Sequence, residues 1–502
     1  MPASTPYNNF KLSKWVRRNI VLKRFNSPAG WIILCFFAAL FAFCAVYKIY
    51  TVNFAIIGAF GGAIVLGICL MQPLLGFYIT IFASFFVFLP TRMGINVPLS
   101  TGVEILVLVT FIGVYFSRSK IELDNYASFL KSPVSIALII YTLFFIVEAF
   151  NPNMYSLEGW VFFIRRWAGF LMVYLIAYRV LNTWEKIYQF ISFWIIMAFI
   201  TALYGCKQAW FGLFPFEMNW LKSDPHEYSL IFTAGYLRKF SLLSDPPAFG
   251  ILSGSMSMLC LILGLSEPKK KRKRFLFFAA LIMYLGMSYS GTRTTNIIPP
   301  AAVALYALMT ITHKRTLMLV FFSIMGFMFI FFAPIDNPTI NRMRTTFKSD
   351  DQSLNVRDVN RHLIQPYIYA HPLGGGIETS AQDGLRFNPG HPLAGFPHDS
   401  GLLKSAIETG WVGYAFMLGF FFIVLFQGIH FYYLMTDPLF KHYIIAITVV
   451  EFSYVVTQYS QTSIGQIPST FLFYPILAIM TRLLQLDRAK RKSQETKILS
   501  EI

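Results

Sequence analysis

Apolar stretches of about 17 to 22 residues recur from Trp31 to Leu484, each closed by a short polar break. That length matches a helix crossing a hydrocarbon core about 30 Å thick. The pattern predicts spans near 31–49, 53–71, 74–90, 101–117, 134–150, 158–178, 188–209, 247–265, 275–290, 296–312, 317–333, 403–426, 442–459 and 468–484. Backbone groups inside lipid find no water, so each span must satisfy its own hydrogen bonds as a helix. The expected fold is therefore an all-α integral membrane protein with about 14 transmembrane helices, or about 12 if adjacent short blocks merge.

One interval breaks the pattern. Residues 334–402, between the spans near 317–333 and 403–426, form the longest hydrophilic stretch of the chain. Loops longer than about 12 to 15 residues are uncommon and usually functional or disordered. This one carries Phe347, Tyr367, Ile368, Tyr369, Leu385 and Phe396, too much apolar content for a tail that stays unfolded. It is expected to fold as a cap over the membrane part and to supply half of an active site. The remaining division is a basic N-terminus (1–30), spans with short loops and one longer loop near 211–246 (31–333), C-terminal spans (403–484) and a basic tail (485–502), disordered after Arg488. There is no repeat of fixed period.

Composition agrees with the pattern: 56% of residues are hydrophobic and 13% charged, against roughly 25% charged in soluble domains. The net charge of +18 would point to nucleic acid in a soluble protein, but here the cations gather at span ends. Lys269 to Arg274, Lys314-Arg315 and the tail Arg488, Lys490, Arg491 and Lys492 read as cytoplasmic segments under the positive-inside rule. The basic start, Lys11 to Arg24, has no small-residue cleavage site after its apolar run, so the first span is expected to remain as an anchor. An even number of spans then leaves both termini in the cytoplasm. The loop after Phe211, the Ser290 to Arg293 turn and residues 334–397 fall together on the opposite face. The five cysteines lie in or beside apolar blocks without metal-ligand spacing.

Three polar segments on that face carry the candidate chemistry. Ser290-Gly291-Thr292-Arg293 opens a helix whose first turns hold Pro299 and Pro300. Free N–H groups at a helix start and the planar fork of Arg293 suit a phosphate. In the loop after Phe211, Arg238 is a surface or substrate contact, and Asp245 before two prolines reads as a helix N-cap. In the long loop stand Arg357, Arg361 and His362, then a short amphipathic helix from His362 to Ala370 that His371-Pro372-Leu373-Gly374-Gly375-Gly376 breaks. Pro397-His398-Asp399 follows, with Lys404 and Glu408 one to two turns into the next helix. An imidazole there can take a proton from a hydroxyl, with Asp399 or Glu408 to orient it. Arg165 and Arg166 sit inside an apolar run, where charges are costly and mark function. One of them is expected to pair with Glu148 across a hairpin about Asn153, leaving the other to face a polar cavity.

With Ser290-Gly291-Thr292-Arg293, Arg357, His371 to Gly376, Pro397-His398-Asp399 and Glu408-Thr409-Gly410-Trp411-Val412-Gly413 in this order, the chain resembles the O-antigen ligase family. That family includes Wzy-type polysaccharide polymerases and bacterial protein O-oligosaccharyltransferases. The resemblance covers mainly Arg238 to Gly413. It implies an integral glycosyltransferase of the bacterial inner membrane that takes a glycan from undecaprenyl diphosphate on the periplasmic face. It further implies that Arg293 and Arg357 hold the diphosphate, that His398 activates the acceptor hydroxyl, and that no metal or other cofactor takes part. The acceptor is lipid A core in a ligase and another lipid-linked glycan in a polymerase. The family commonly has asparagine where Asp399 stands, and tryptophan a few residues after the loop arginine where this chain has Arg361-His362. The contact with the diphosphate therefore falls to Arg357 or Arg361. A polysaccharide flippase is the competing class, but transporters place polar sites at the midplane of broken helices rather than at one face.

Overall fold

The computed structural model describes residues 50–95, 99–116, 129–233, 235–332, 334, 338–344, 352–398 and 400–501. The expected span at 31–49 and the basic N-terminus lie outside the described residues, as does Asp399. The main helices are α1 (Tyr50–Met71), α2 (Pro73–Phe85), α3 (Leu99–Phe116), α4 (Pro133–Val147), α5 (Leu157–Val180), α6 (Trp184–Trp210), α7 (Pro246–Ser266) and α8 (Lys270–Tyr289). They continue as α9 (Ile298–Thr310), α10 (Lys314–Phe332), α11 (Gln352–Ala370), α12 (Gly401–Glu408), α13 (Gly410–Leu434), α14 (Pro438–Thr457) and α15 (Thr470–Glu501). Among the described residues the only sheet is a two-stranded one, Phe232–Thr233 against Tyr236–Leu237. The chain is an all-α membrane protein in its described part: eight segments are long and apolar enough to cross a bilayer, namely Pro73–Arg92, α3, Pro133–Phe150, α5, α6, α7, α13 and α14.

Helix α7 is the axis of the packing, with α6, α8, α9 and α14 against it. Its sequence explains why. Gly250 and Gly254 stand one turn apart, and a Cβ at Gly250 would lie 2.4 Å from Ser290 Oγ, while one at Gly254 would lie 2.8 Å from Met287 Sδ. Lipid gives helices no hydrophobic reason to associate, so close approach through small residues supplies the contact. That approach seats the Ser290 to Thr295 turn directly on the start of α7.

Three expectations are corrected. The span predicted at 403–426 is two helices, because Gly410 adopts φ +65° and makes room for Pro372 O, which a Cβ would meet at 1.9 Å. The tail after Arg488 is helical to Glu501. It is rich in residues that form helices readily, and it is anchored where Asp487 accepts from the Thr436 and Asp437 N–H groups and Lys490 pairs with Asp437. The short helix expected over 362–370 extends back to Gln352 and keeps Pro366 within it.

Direction of travel sorts the helix ends into two sets. The Lys269 to Arg274 segment, Arg315 and the α15 anchor belong to one set, where Arg272 bonds Tyr443 at the start of α14 and Arg315 bonds Leu265 O at the end of α7. The Ser290 turn, the cap and the end of α14 belong to the other.

Candidate functional site

The cap is positioned through its peptide groups. Gly374, at φ +68°, lies so close to α12 that a Cβ would meet Glu408 O at 2.5 Å. The Gly375 and Gly376 N–H groups donate to Ile407 O and Glu408 O at 2.9 and 2.8 Å. These are carbonyls that the end of α12 leaves unpaired. From the α4–α5 hairpin, Asn151 and Asn153 donate to Leu373 O and Gly374 O at 2.6 and 2.7 Å.

This packing brings a buried charge cluster together. Glu378 is wholly inaccessible, left-handed at φ +56°, and its carboxylate pairs with Arg166 of α5 and with Lys404 of α12, the latter at 3.0 Å. Glu408 lies beneath it. Its Oε2 accepts from the Glu378 N–H at 3.2 Å, and its Oε1 accepts from the Ser380 N–H at 3.4 Å and from the Ser380 hydroxyl. Lys404 Nζ stands 3.9 Å away. On its other side the Ser380 hydroxyl meets His398 Nδ1 at 2.9 Å. The result is a continuous chain, Arg166 and Lys404 to Glu378, and Glu408 through Ser380 to His398.

The electrostatics divide the carboxyls. Burial pushes Glu378 up, but Lys404 and Arg166 outweigh it and hold that group below the ordinary range. Burial raises Glu408 to about 7, with Lys404 opposing and Glu378 adding to it. Asp383, beside Glu378, is raised to about 6 by burial and by that neighbour. Burial and the Lys404 charge push His398 down to about 4, so its ring is neutral at physiological pH.

A second, cationic group adjoins the cluster. Arg238 Nη2 donates to Thr292 Oγ1 at 2.7 Å, and its Nε to Ser290 O at 3.3 Å, which places it on the turn that carries Arg293. Thr294 shares a hydrogen bond with Ser460 at 2.5 Å, and Arg361 donates to the Tyr459 hydroxyl at 2.9 Å while lying over its ring. The same 458–461 turn accepts from Gly401 and Leu402, just after His398. One turn thus links the Arg293 segment, Arg361 and the base of the His398 loop. An apolar groove of about 800 Å³ lies between α7, α8, α9 and α10, lined by Leu261, Phe277, Tyr284, Pro300 and Phe327, with Asn296 of the Arg293 segment in its wall.

No protein-family model matches the chain, and no curated protein matches it.

Of the residues singled out in the sequence, the structure brings together His398, Glu408 and Arg166 in the buried cluster, and Arg238, Arg293 and Arg361 along the adjoining turn. The expected ion pair of Glu148 with an arginine is not formed. Glu148 accepts from Asn151 at 2.8 Å, and Arg165 pairs instead with Glu104 of α3 at 3.5 Å, while both Arg165 and Arg166 lie over the Phe162 ring. Asp245 caps α7 as predicted, accepting from Ala248 N–H at 2.7 Å. His371 stacks on Tyr367 with ring centroids 4.0 Å apart. The Arg357 side chain lies outside the described residues. Three residues were not anticipated: Glu378, Ser380 and Arg92. Arg92 is buried and donates to the carbonyls of Ser241, Leu243 and Ser244, clamping the end of the loop that bears Arg238. Among the described residues no group of three or more His, Cys, Asp or Glu is placed to hold a metal.

Proposed function

We propose that the chain is a membrane glycosyltransferase that moves a glycan from an undecaprenyl-diphosphate-linked donor to an acceptor hydroxyl on the periplasmic face of the bacterial inner membrane, as an O-antigen ligase does. One observation carries this reading: an imidazole wired to a buried carboxyl shares a helix-end face with the arginines, and an apolar groove reaches Asn296, three residues from Arg293. In this reading both termini are cytoplasmic, the basic helix ends face inward, and the shorter helices complete a bundle of about 14 spans.

The chemistry follows from the parts. A lipid diphosphate is already a good leaving group, so the protein must neutralise the departing oxygens and sharpen the incoming hydroxyl. The lipid lies in the groove between α7, α8, α9 and α10, and its head meets Arg293, with Arg238 and Arg361 alongside and Arg357 one turn before Arg361 on α11. His398 Nε2 takes the acceptor proton as the acceptor oxygen bonds to the anomeric carbon. The bond from that carbon to the phosphate oxygen breaks, its electron pair stays with undecaprenyl diphosphate, and the anomeric centre inverts. Lipid A core is the acceptor in the ligase form, and a second lipid-linked glycan would serve the same base in a polymerase.

Purified protein in lipid nanodiscs, given lipid-linked oligosaccharide and acceptor, should release undecaprenyl diphosphate in step with product. Intact donor after exhaustive incubation would overturn the reading. In cells lacking the gene, unattached long chains are expected, whereas a single repeat joined to core would transfer the assignment from ligase to polymerase.

A further inference from the structure

The Ser380 hydroxyl has one hydrogen and two claimants, His398 Nδ1 at 2.9 Å and Glu408 Oε1. When Glu408 is ionised it only accepts, so it takes that hydrogen. Ser380 Oγ must then accept from Nδ1–H, and the neutral ring carries its lone pair on Nε2. A proton on Glu408 reverses the order. The other groups bonded to that carboxyl, the Glu378 and Ser380 N–H groups, are donors, as is the Lys404 ammonium nearby. A carboxyl hydrogen therefore points at Ser380 Oγ, the hydroxyl hydrogen turns to Nδ1, and the ring's own hydrogen moves to Nε2. The base is lost without the ring gaining charge.

We propose that ionisation of Glu408 selects the tautomer of His398 through the Ser380 hydroxyl, which makes Glu408 and Ser380 positioning residues that switch the base on. The proposal rests on the transferase reading for its consequence, though not for its geometry. The charged and titratable groups around Glu408 are Lys404 on its own helix, Glu378 and Asp383 from the cap, Arg166 from α5 through Glu378, and His398 itself. Burial raises Glu408 to about 7 and, with Lys404, lowers His398 to about 4, so between those limits the ring stays neutral while the carboxyl titrates. Turnover should rise with pH through the range of the carboxyl, falling about tenfold per pH unit below about 7.

The test uses the full chain in nanodiscs with ring-¹⁵N-labelled histidine, the His398 signals being assigned by difference from His398→Ala. With no substrate present, the wild-type ring should carry its hydrogen on Nδ1 at about pH 8.5 and on Nε2 at about pH 5.5, neutral at both. The change should vanish in Glu408→Gln and Ser380→Ala and persist in Ser380→Thr, which keeps the hydroxyl. The pH step in turnover with undecaprenyl-diphosphate-linked oligosaccharide should follow the same three variants. A wild-type ring that holds one tautomer across this range, or a Ser380→Ala protein that still switches, would overturn the proposal. Because the spectrum needs no substrate, a correct tautomer switch in a protein without transfer would refute the transferase reading alone.

Discussion

Two groups of charges, one from each set of helix ends, work differently. At the basic set, Arg482 donates twice to Tyr178 O and Asp487 accepts from the Thr436 and Asp437 N–H groups, so each charge closes a helix terminus. At the other set, Glu378, Glu408, Lys404 and Arg166 are bound mainly to one another, with Ser380 leading out to an imidazole. A charge spent on backbone is fixed by the fold. A cluster of side chains that share protons can change state without moving a helix, which is what acid–base chemistry requires.

Substitutions should separate the two ends by readout. The largest effect is expected from His398→Ala, with turnover falling by about 10² to 10⁴ while the amount of folded protein holds. Arg482→Ala should do the reverse, lowering folded yield with little change in turnover per folded molecule. Turnover that survives in His398→Ala would erase the contrast. Glu378→Gln comes next: it leaves Arg166 and Lys404 short of a buried partner, a loss of about 3 kcal/mol measurable by chemical or thermal unfolding. An unchanged melting profile would show that the cluster does not hold the cap. A smaller effect is expected from Asp383→Asn, and its sign depends on pH. The folded carboxyl is raised to about 6 from about 3.9 in the unfolded chain, so the native state binds the proton more tightly. Its ionisation penalty is absent below the lower value and complete above the higher one. The variant should melt about a degree or two higher at pH 8 and match wild type near pH 4; an equal shift at both values would argue against it. Smallest of all, Arg165→Ala breaks a pair with Glu104 in which the arginine is 52% exposed. It should cost less than about 1 kcal/mol and leave transfer intact.

Much of this was legible in the sequence, and the failures have physical causes. Apolar length alone placed seven of the eight long apolar helices within a few residues and began the eighth at 403 rather than 410, so Lys404 and Glu408 were expected inside that span, with only His398 ahead of it. Arg165 and Arg166 are adjacent in an apolar helix, so no spacing could choose between them. The choice was made by the partners that folding brings up, Glu104 of α3 for Arg165 and Glu378 of the cap for Arg166. Glu378 and Ser380 lie in a stretch with no motif, and they gain their places only because the glycine triplet packs on the end of α12. The break before Gly410 was hidden for the same reason: a left-handed glycine among apolar residues reads as an uninterrupted span until its neighbour, Pro372, is known.

The seating of the cap by main-chain bonds has a practical corollary for diversification. Residues 374–376 and 407–410 dock peptide to peptide, so the outward side chains between 381 and 397 can be rewritten without disturbing the register of the base. If the transferase reading holds, a library confined to those positions, with the glycines left alone, should alter acceptor choice before it alters the rate with any one acceptor.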